Sequence, residues 1–286
     1  MTTSIDRVTA RRVWDSRGRP TIEAGIRLAG GAAGRAIAPA GASTGSGEAL
    51  DKRDGGARFG GYDVMQAVAA VDGEINTALR GLDGTDQAAV DHALIELDGT
   101  PDKSRLGGNA LIAVSMAAVH AAAAAAGLPL WRYLAGDDGK IRLPLPEIQI
   151  FGGGAHAGRR VDVQDFMIIP VGAAGFAEAL EWTAEVYRAA GELMRDAERL
   201  MGVADEGGWW PAFDSNETGL DYLLRAIEQA GLVPGEQVAI SLDIAATDFG
   251  RTGRYRLARD GRELDSDGLS EMLLGWLARY PIVAIE

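Results

Sequence analysis

The chain contains no cysteine, which excludes disulfides, thiolate zinc sites and cysteine nucleophiles from within it and is compatible with a reducing cytoplasm, the expected location. Basic residues are also scarce. Twenty-eight Lys and Arg face 41 Asp and Glu, for a net charge of -13 and a pI near 4.7. That balance argues against nucleic acid or an anionic membrane as partner, while leaving room for a local basic site that takes an anionic metabolite. Lysine is the rarest of the charged types, confined to Lys52, Lys103 and Lys140. The first seven residues show no apolar region behind a basic start, so nothing there reads as a targeting peptide. No long purely hydrophobic run exists either. The most membrane-like stretch, 109–126, is largely alanine and carries Asn109, Ser115 and His120, so it reads as a buried helix packed through small side chains, and no membrane span is expected.

What is present suits two domains, because 286 residues exceed one average domain and can bury a large core. The opening 8–30 reads as an extended hairpin broken at Asp15-Ser16-Arg17-Gly18-Arg19-Pro20, and 34–38 adds a third strand. A run of small residues from Pro39 to Glu48 has no core-forming period and reads as a functional loop or a linker. Helical patterns follow at 63–79, 85–97 and 109–126, with Gly81, Gly99 and Gly127 as stop signals. A boundary falls at the turn Gly136-Asp137-Asp138-Gly139, giving domains 1–137 and 138–286. Beyond it strands alternate with helices at 175–200, 217–230 and 266–280, the rhythm of a β/α barrel.

Four acids recur where apolar runs end: Asp165, Glu206, Asp243 and Glu286. They stand roughly 40 residues apart, room for one strand, one helix and two loops. A barrel would set them round one mouth, where barrel enzymes keep their chemistry, and a cluster of acids that cannot all be left bare points to a divalent cation with oxygen ligands. Any one of them alone reads equally as a helix cap or a solvated loop residue. The two glycines after Asp205-Glu206 let the chain turn sharply and expose the acids. His92 and His120 lie in helical patterns and read as packing or surface residues.

Six motifs in order then resemble the enolase family: Asp15-Ser16-Arg17-Gly18, Gly41-Ala42-Ser43-Thr44-Gly45, Leu97-Asp98-Gly99-Thr100, Gly153-Gly154 with His156-Ala157, Asp205-Glu206-Gly207-Gly208, and Pro281-Ile282-Val283 with Ile285-Glu286. The resemblance implies a small α+β N-terminal capping domain followed by an incomplete TIM-type β/α barrel whose second to fifth strands end at Asp165, Glu206, Asp243 and Glu286. It also implies a magnesium-dependent lyase that dehydrates 2-phosphoglycerate to phosphoenolpyruvate through an enolate-like intermediate. By position Asp243 and Glu286 resemble ligands of one Mg2+ and Ser43 a ligand of a second. Glu206 resembles the general acid for the departing hydroxide; His156 resembles a loop residue closing on the phosphate, and Asp165 stands with them as a catalytic and substrate-binding carboxylate. Magnesium stabilising the dianionic intermediate opposite a lysine or histidine base is a general pattern of this superfamily.

Several positions depart from the family. Asp165 stands where the family has glutamate, one methylene shorter, and Gly152, Arg19, Ala40 and Ala204 replace asparagine, asparagine, serine and glycine. Arg159-Arg160 add charge after His156 and read either as an extra anion-binding pair in the substrate site or as solvent-facing residues. Two alternatives therefore accompany the dehydratase reading: an enzyme acting on a phosphonate analogue, like carboxyphosphonoenolpyruvate synthase, and a non-catalytic binding protein on the same fold. The expected partners are a small phosphorylated or phosphonate carboxylate substrate and, in the complete form, a second copy of the chain. The family places its third metal ligand and lysine base beyond the position of Glu286, so the 286-residue chain alone is expected to be inactive.

Overall fold

The computed structural model describes residues 2–41, 43–136 and 139–286. The chain divides into two compact units, Met1–Ile141 and Arg142–Glu286. Two residues of the expected boundary turn, Asp137 and Asp138, lie outside the described residues, as does Ala42 of the small-residue loop.

In the first unit β1 (Ile5–Trp14), β2 (Pro20–Leu28) and β3 (Ala33–Ala38) form an antiparallel meander in the order β1-β2-β3. The turn between β1 and β2 is fixed by Asp15, whose carboxylate accepts from the backbone N–H groups of Arg17 and Arg19. Helical segments α1 (Met65–Ala70), a π turn at Val71–Ile75, and α2 (Asn76–Leu79) run on without a break. They are followed by α3 (Gln87–Asp98), α4 (Gly108–Ala125) and α5 (Leu130–Ala135). Helix α3 starts where Asp86 accepts from the N–H of Ala89 and stops at Gly99, whose φ of 70° takes the left-handed conformation that suits glycine.

The alanine-rich α4 is long and apolar enough to cross a membrane by length and composition alone, yet in this fold it is the core helix of its unit. Ala110, Ala113, Val114, Ala117, Ala118 and Ala121 are buried with Ile22, Ala24 and Ile26 of the sheet. Small side chains allow the backbones to approach very closely. A Cβ added at Gly34 would lie 2.2 Å from the backbone nitrogen of Ala121 and 2.5 Å from the carbonyl of Ala117, so β3 fits against α4 only with glycine at that point.

The second unit holds β4 (Ile148–Gly152), β5 (Asp165–Ile169), α6 (Phe176–Asp196), β6 (Leu200–Val203), β7 (Trp209–Pro211) and α7 (Asn216–Gln229). It continues with β8 (Ala239–Asp243), the short strands β9 (Gly250–Arg251), β10 (Arg254–Leu257) and β11 (Arg262–Asp265), then α8 (Ser266–Arg279) and β12 (Ile282–Ile285). Side-chain caps set two of its helices: Ser215 accepts from Thr218 at α7 and Asp265 from Gly268 at α8. Six strands form one sheet in the order β12-β8-β5-β4-β7-β6. Phe151, Phe166, Ile168, Val186, Leu220, Ile240, Leu242 and Trp276 form the core between sheet and helices.

Mixed α/β content with parallel β8–β12 and β4–β7 pairs fits an incomplete barrel, but one expectation is corrected. Strand β5 runs antiparallel to both of its neighbours, β4 and β8. Its connection from β4 is a loop with no crossover helix, and without such a crossover the next strand returns in the opposite direction. Asp165 therefore opens its strand instead of ending it. The antiparallel register nonetheless puts it opposite Asp243, the last residue of β8. The hairpin β6–β7 and the small sheet β11-β10-β9 are likewise absent from a simple strand-helix alternation.

Candidate active site

The site begins with the loop between β4 and β5. Gly153 donates to the carbonyl of Gln164 at 2.6 Å and Gly154 to that of Val161 at 3.0 Å, folding the loop back on itself. A Cβ at Gly153 would sit 2.2 Å from the Val163 carbonyl, so this closure requires glycine. Within the loop the short turn Gly154–Ala157 carries His156, whose side chain is only 1% exposed. Neither ring nitrogen of His156 has a hydrogen-bond partner among the described residues. Leaving a buried imidazole unpaired is unfavourable, and a ligand that supplies the missing partner offsets it.

Glu206 comes from the β6–β7 turn. Ala204 donates to the Gly208 carbonyl and Gly207 back to that of Ala204, with Gly207 at a φ of 98°. Tyr187 of α6 secures the turn by donating from its hydroxyl to the Gly207 carbonyl at 2.8 Å. The Tyr187 ring stacks on Trp209 at 4.5 Å between centroids, and Trp209 Nε1 donates to the Tyr187 carbonyl. Trp209 is thus part of the scaffold of the turn. Trp210 lies under the loop, where a Cβ at Gly158 would be 3.0 Å from its ring.

These two segments and the start of β5 bring His156, Asp165 and Glu206 together, with one ligand-type atom from each within 4.8 Å of the others. Glu206 Oε1 lies 3.5 Å from His156 Nε2 without the alignment of a hydrogen bond, and half of its side chain is open to solvent. Asp165 is buried. Burial pushes its carboxyl up to about 6; the Gln149 amide and His156 pull it down, and the nearby Glu206 carboxylate raises it further.

Two glutamines that sequence reasoning did not single out join these groups. Gln149 of β4 donates from Nε2 to Asp165 Oδ1 and accepts at Oε1 from the N–H of Gly208, 2.8 Å away. One amide therefore links Asp165 to the turn that bears Glu206. Gln164 donates from Nε2 to Asp243 Oδ2 at 2.9 Å and lies 3.5 Å from Asp165 Oδ2. Asp243 Oδ1 accepts from the N–H of Ala245. The sequence signal that could have found Gln149 is an amide in the apolar run Ile148-Gln149-Ile150-Phe151, which strand alternation sets on the face opposite Ile148 and Ile150 and which needs a partner once that face is covered.

Glu286 follows β12, its N–H bonded to the Leu242 carbonyl and its own carbonyl accepting from Ile244. It is therefore the neighbour of Asp243 across the parallel ladder. Two adjacent carboxylates at strand ends offer the hard oxygen ligands that magnesium selects, and Asp243 retains free lone pairs beyond its two hydrogen bonds. The His156 cluster fits magnesium less well, because an imidazole nitrogen suits transition metals better than it suits a hard cation. Ser43 belongs to the first unit, in the stretch between β3 and α1. Arg159 has a left-handed φ of 57°, and its guanidinium donates to the Asp248 carbonyl at 3.1 Å. It lines a cavity that His156, Asp165 and Glu206 do not line, and Arg160 is not part of that cavity's wall either.

Family comparison agrees with this architecture over nearly the whole chain. Residues 5–134 match the model for the N-terminal domain of enolase, and residues 140–286 match that for the enolase C-terminal TIM barrel domain. The motif order, the glycine-closed His156 loop, the acid-bearing β6–β7 turn and the two domain matches together show that the chain belongs to the enolase family.

Proposed function

We propose that the protein is a magnesium-dependent hydro-lyase that dehydrates 2-phosphoglycerate to phosphoenolpyruvate in the cytoplasm, as a step of glycolysis. The family carries a metal-dependent, lyase-type fold, and the single observation that supports the finer reading is the convergence of His156, Asp165 and Glu206. Dehydration requires a carboxylic acid that can protonate a departing hydroxide, close to a group that recognises the substrate's anionic end. Asp165, whose carboxyl burial raises to about 6, lies in one cluster with the half-exposed Glu206. In this reading Glu206 faces substrate and delivers the proton, and Asp165 orients it. His156, buried and unpartnered, takes the substrate phosphate as its missing partner.

Asp243 and Glu286 would hold Mg2+, whose charge stabilises a substrate carboxylate as it becomes enolate-like. Ser43 would contribute to a second magnesium that accompanies substrate. Residues 142–286 contain no lysine, so the base that removes the α-proton is assigned to a segment not among these residues. On this reading the 286-residue polypeptide does not turn over by itself, and a second copy of the chain is its proposed partner.

Two measurements test the reading. Magnesium titration by calorimetry should show at least tenfold weaker binding in Asp243→Asn than in the parent chain, with the circular dichroism unchanged; equal affinities would remove Asp243 from the metal site. In an assembly that supplies the base, Glu206→Gln should abolish phosphoenolpyruvate formation while solvent exchange of the substrate α-proton continues. Simultaneous loss of both, with magnesium still bound, would rule out Glu206 as a separate acid. Turnover by the 286-residue chain alone would overturn the assignment of the base.

A further inference from the structure

The second unit contains a cavity of about 670 Å³ between the His156 loop and the small β9–β10–β11 sheet. Its wall includes four arginines, Arg159, Arg251, Arg254 and Arg256, against the three acids Asp162, Asp248 and Glu263. That is an unusual place for net positive charge in a chain carrying -13 overall. Strand geometry accounts for the clustering. Arg254 and Arg256 are two apart on β10 and share a face, and Arg251 of β9 is the direct partner of Arg254 across the ladder.

The acids do not neutralise all of these cations. Asp162 is occupied by the N–H groups of Ala258 and Arg259 and by the Asn216 amide. Glu263 pairs with Arg254 at 3.2 Å. Arg159 is committed to the Asp248 carbonyl. Among the described residues the guanidinium groups of Arg251 and Arg256 have no ion-pair or hydrogen-bond partner, although the Arg256 backbone N–H donates to the Phe249 carbonyl, and both residues are exposed. The same wall presents a second unsatisfied group of opposite character: Asp248 Oδ2 is buried and lacks any donor. A buried carboxylate oxygen without a donor is costly, so the cavity offers two free guanidinium groups for an anion and one carboxylate oxygen for an O–H.

We propose that this cavity is a second ligand site, distinct from the acid cluster, that binds a small hydroxylated phosphate ester. The phosphate lies on Arg251 and Arg256, whose planar forks match its oxygens, and a hydroxyl of the ligand donates to Asp248 Oδ2. Gly154 and Arg159 line the cavity and flank His156 in one loop, so an occupant of the cavity would touch that loop.

The test is calorimetric titration of the 286-residue chain with glycerol 3-phosphate and with propyl phosphate, which lacks the hydroxyls, in chelator-containing buffer free of divalent cations. The expected result is one site per chain that prefers glycerol 3-phosphate. The double variant Arg251→Ala, Arg256→Ala should bind both esters at least tenfold more weakly, and Asp248→Ala should lose the preference while still binding propyl phosphate. Asp243→Asn, which disables the proposed magnesium site, should bind both like the parent, so failure of the dehydratase reading and failure of this site give different results. Single Arg251→Gln and Arg256→Gln variants, each expected to weaken binding severalfold, decide the matter if the double variant loses its circular dichroism signal. Absence of binding by the parent chain, unchanged affinity in the arginine variants, or loss of binding in Asp243→Asn would each overturn the proposal.

Discussion

Replacing Asp165 by asparagine should make the second unit more stable, by an amount that depends on pH in a defined direction. The folded protein raises the Asp165 carboxyl from 3.8 to about 6, with burial as the leading cause. A raised carboxyl means that the folded state binds the proton more tightly than the unfolded chain. Stability therefore falls as pH rises through this interval, and the full cost is present once Asp165 is ionised. Two pKa units correspond to at most about 3 kcal/mol. The half-exposed Glu206 turn admits solvent that screens the site, which brings the figure to roughly 1–2 kcal/mol. Asparagine keeps an oxygen for the Gln149 amide and never ionises. The advantage of Asp165→Asn should thus be near zero at about pH 4 and reach ~1–2 kcal/mol by about pH 8. Urea unfolding of both proteins in chelator, followed by fluorescence, measures it, since Trp182, Trp209, Trp210 and Trp276 all belong to the second unit. An advantage that is constant with pH, or an asparagine variant less stable at about pH 8, would refute the argument that burial of charge dominates at this position.

Other expectations follow from the same contacts. Gln149→Leu removes the donor to Asp165 and the acceptor for Gly208, so it should destabilise the unit by ~1–3 kcal/mol; NMR should also find the Asp165 midpoint moved above that of the parent. Gly34→Ala forces a methyl group into the backbone of α4 and should lower the stability of the first unit by about 1–3 kcal/mol or more in thermal melts, without altering magnesium binding. Glu217 is held below the usual carboxylate range by the Trp276 indole N–H and then by Arg279. Its contribution is present above the unfolded value and lost as pH falls through the lowered one. With the side chain more than a third exposed, Glu217→Gln should cost no more than about 1 kcal/mol near neutrality and nothing in acid.

Much of the fold was legible because its signals are local. The helices at 63–79, 85–97, 109–126, 175–200, 217–230 and 266–280 correspond to α1–α2, α3, α4, α6, α7 and α8 to within a few residues, since glycine stops, Ser and Asp caps and apolar periodicity are short-range properties. Strand direction is not local. The residues from Val161 to Phe166 look like a strand that ends in an acid, and only the missing crossover helix after β4 shows that Asp165 must begin one. The β9–β11 sheet was equally hidden, because Gly250-Arg251 and Arg254-Tyr255-Arg256-Leu257 are too short and too charged for a period-two pattern to stand out.

The candidate site shows the same division between residue type and arrangement. Acids at the ends of apolar runs are conspicuous, so Asp165, Glu206 and Asp243 stood out singly, yet a carboxylate's proton affinity depends on its neighbours. The neighbours that matter here are amides. Gln149 ties Asp165 to the Glu206 turn, and Gln164 reaches from Asp165 to Asp243. Each glutamine donates N–H groups, which stabilises the ionised acid it touches, so Asp165 stays near 6 because burial outweighs two donors that oppose it. That balance makes the proton on Asp165 sensitive to small movements. Opening the turn by breaking the Tyr187–Gly207 bond would shift Gly208, release the Gln149 amide from one of its two anchors, and change the donor presented to Asp165. The acid pair and the hairpin that carries Glu206 therefore behave as one unit, which is why Tyr187, in α6, belongs to the chemistry of the site through the position it enforces.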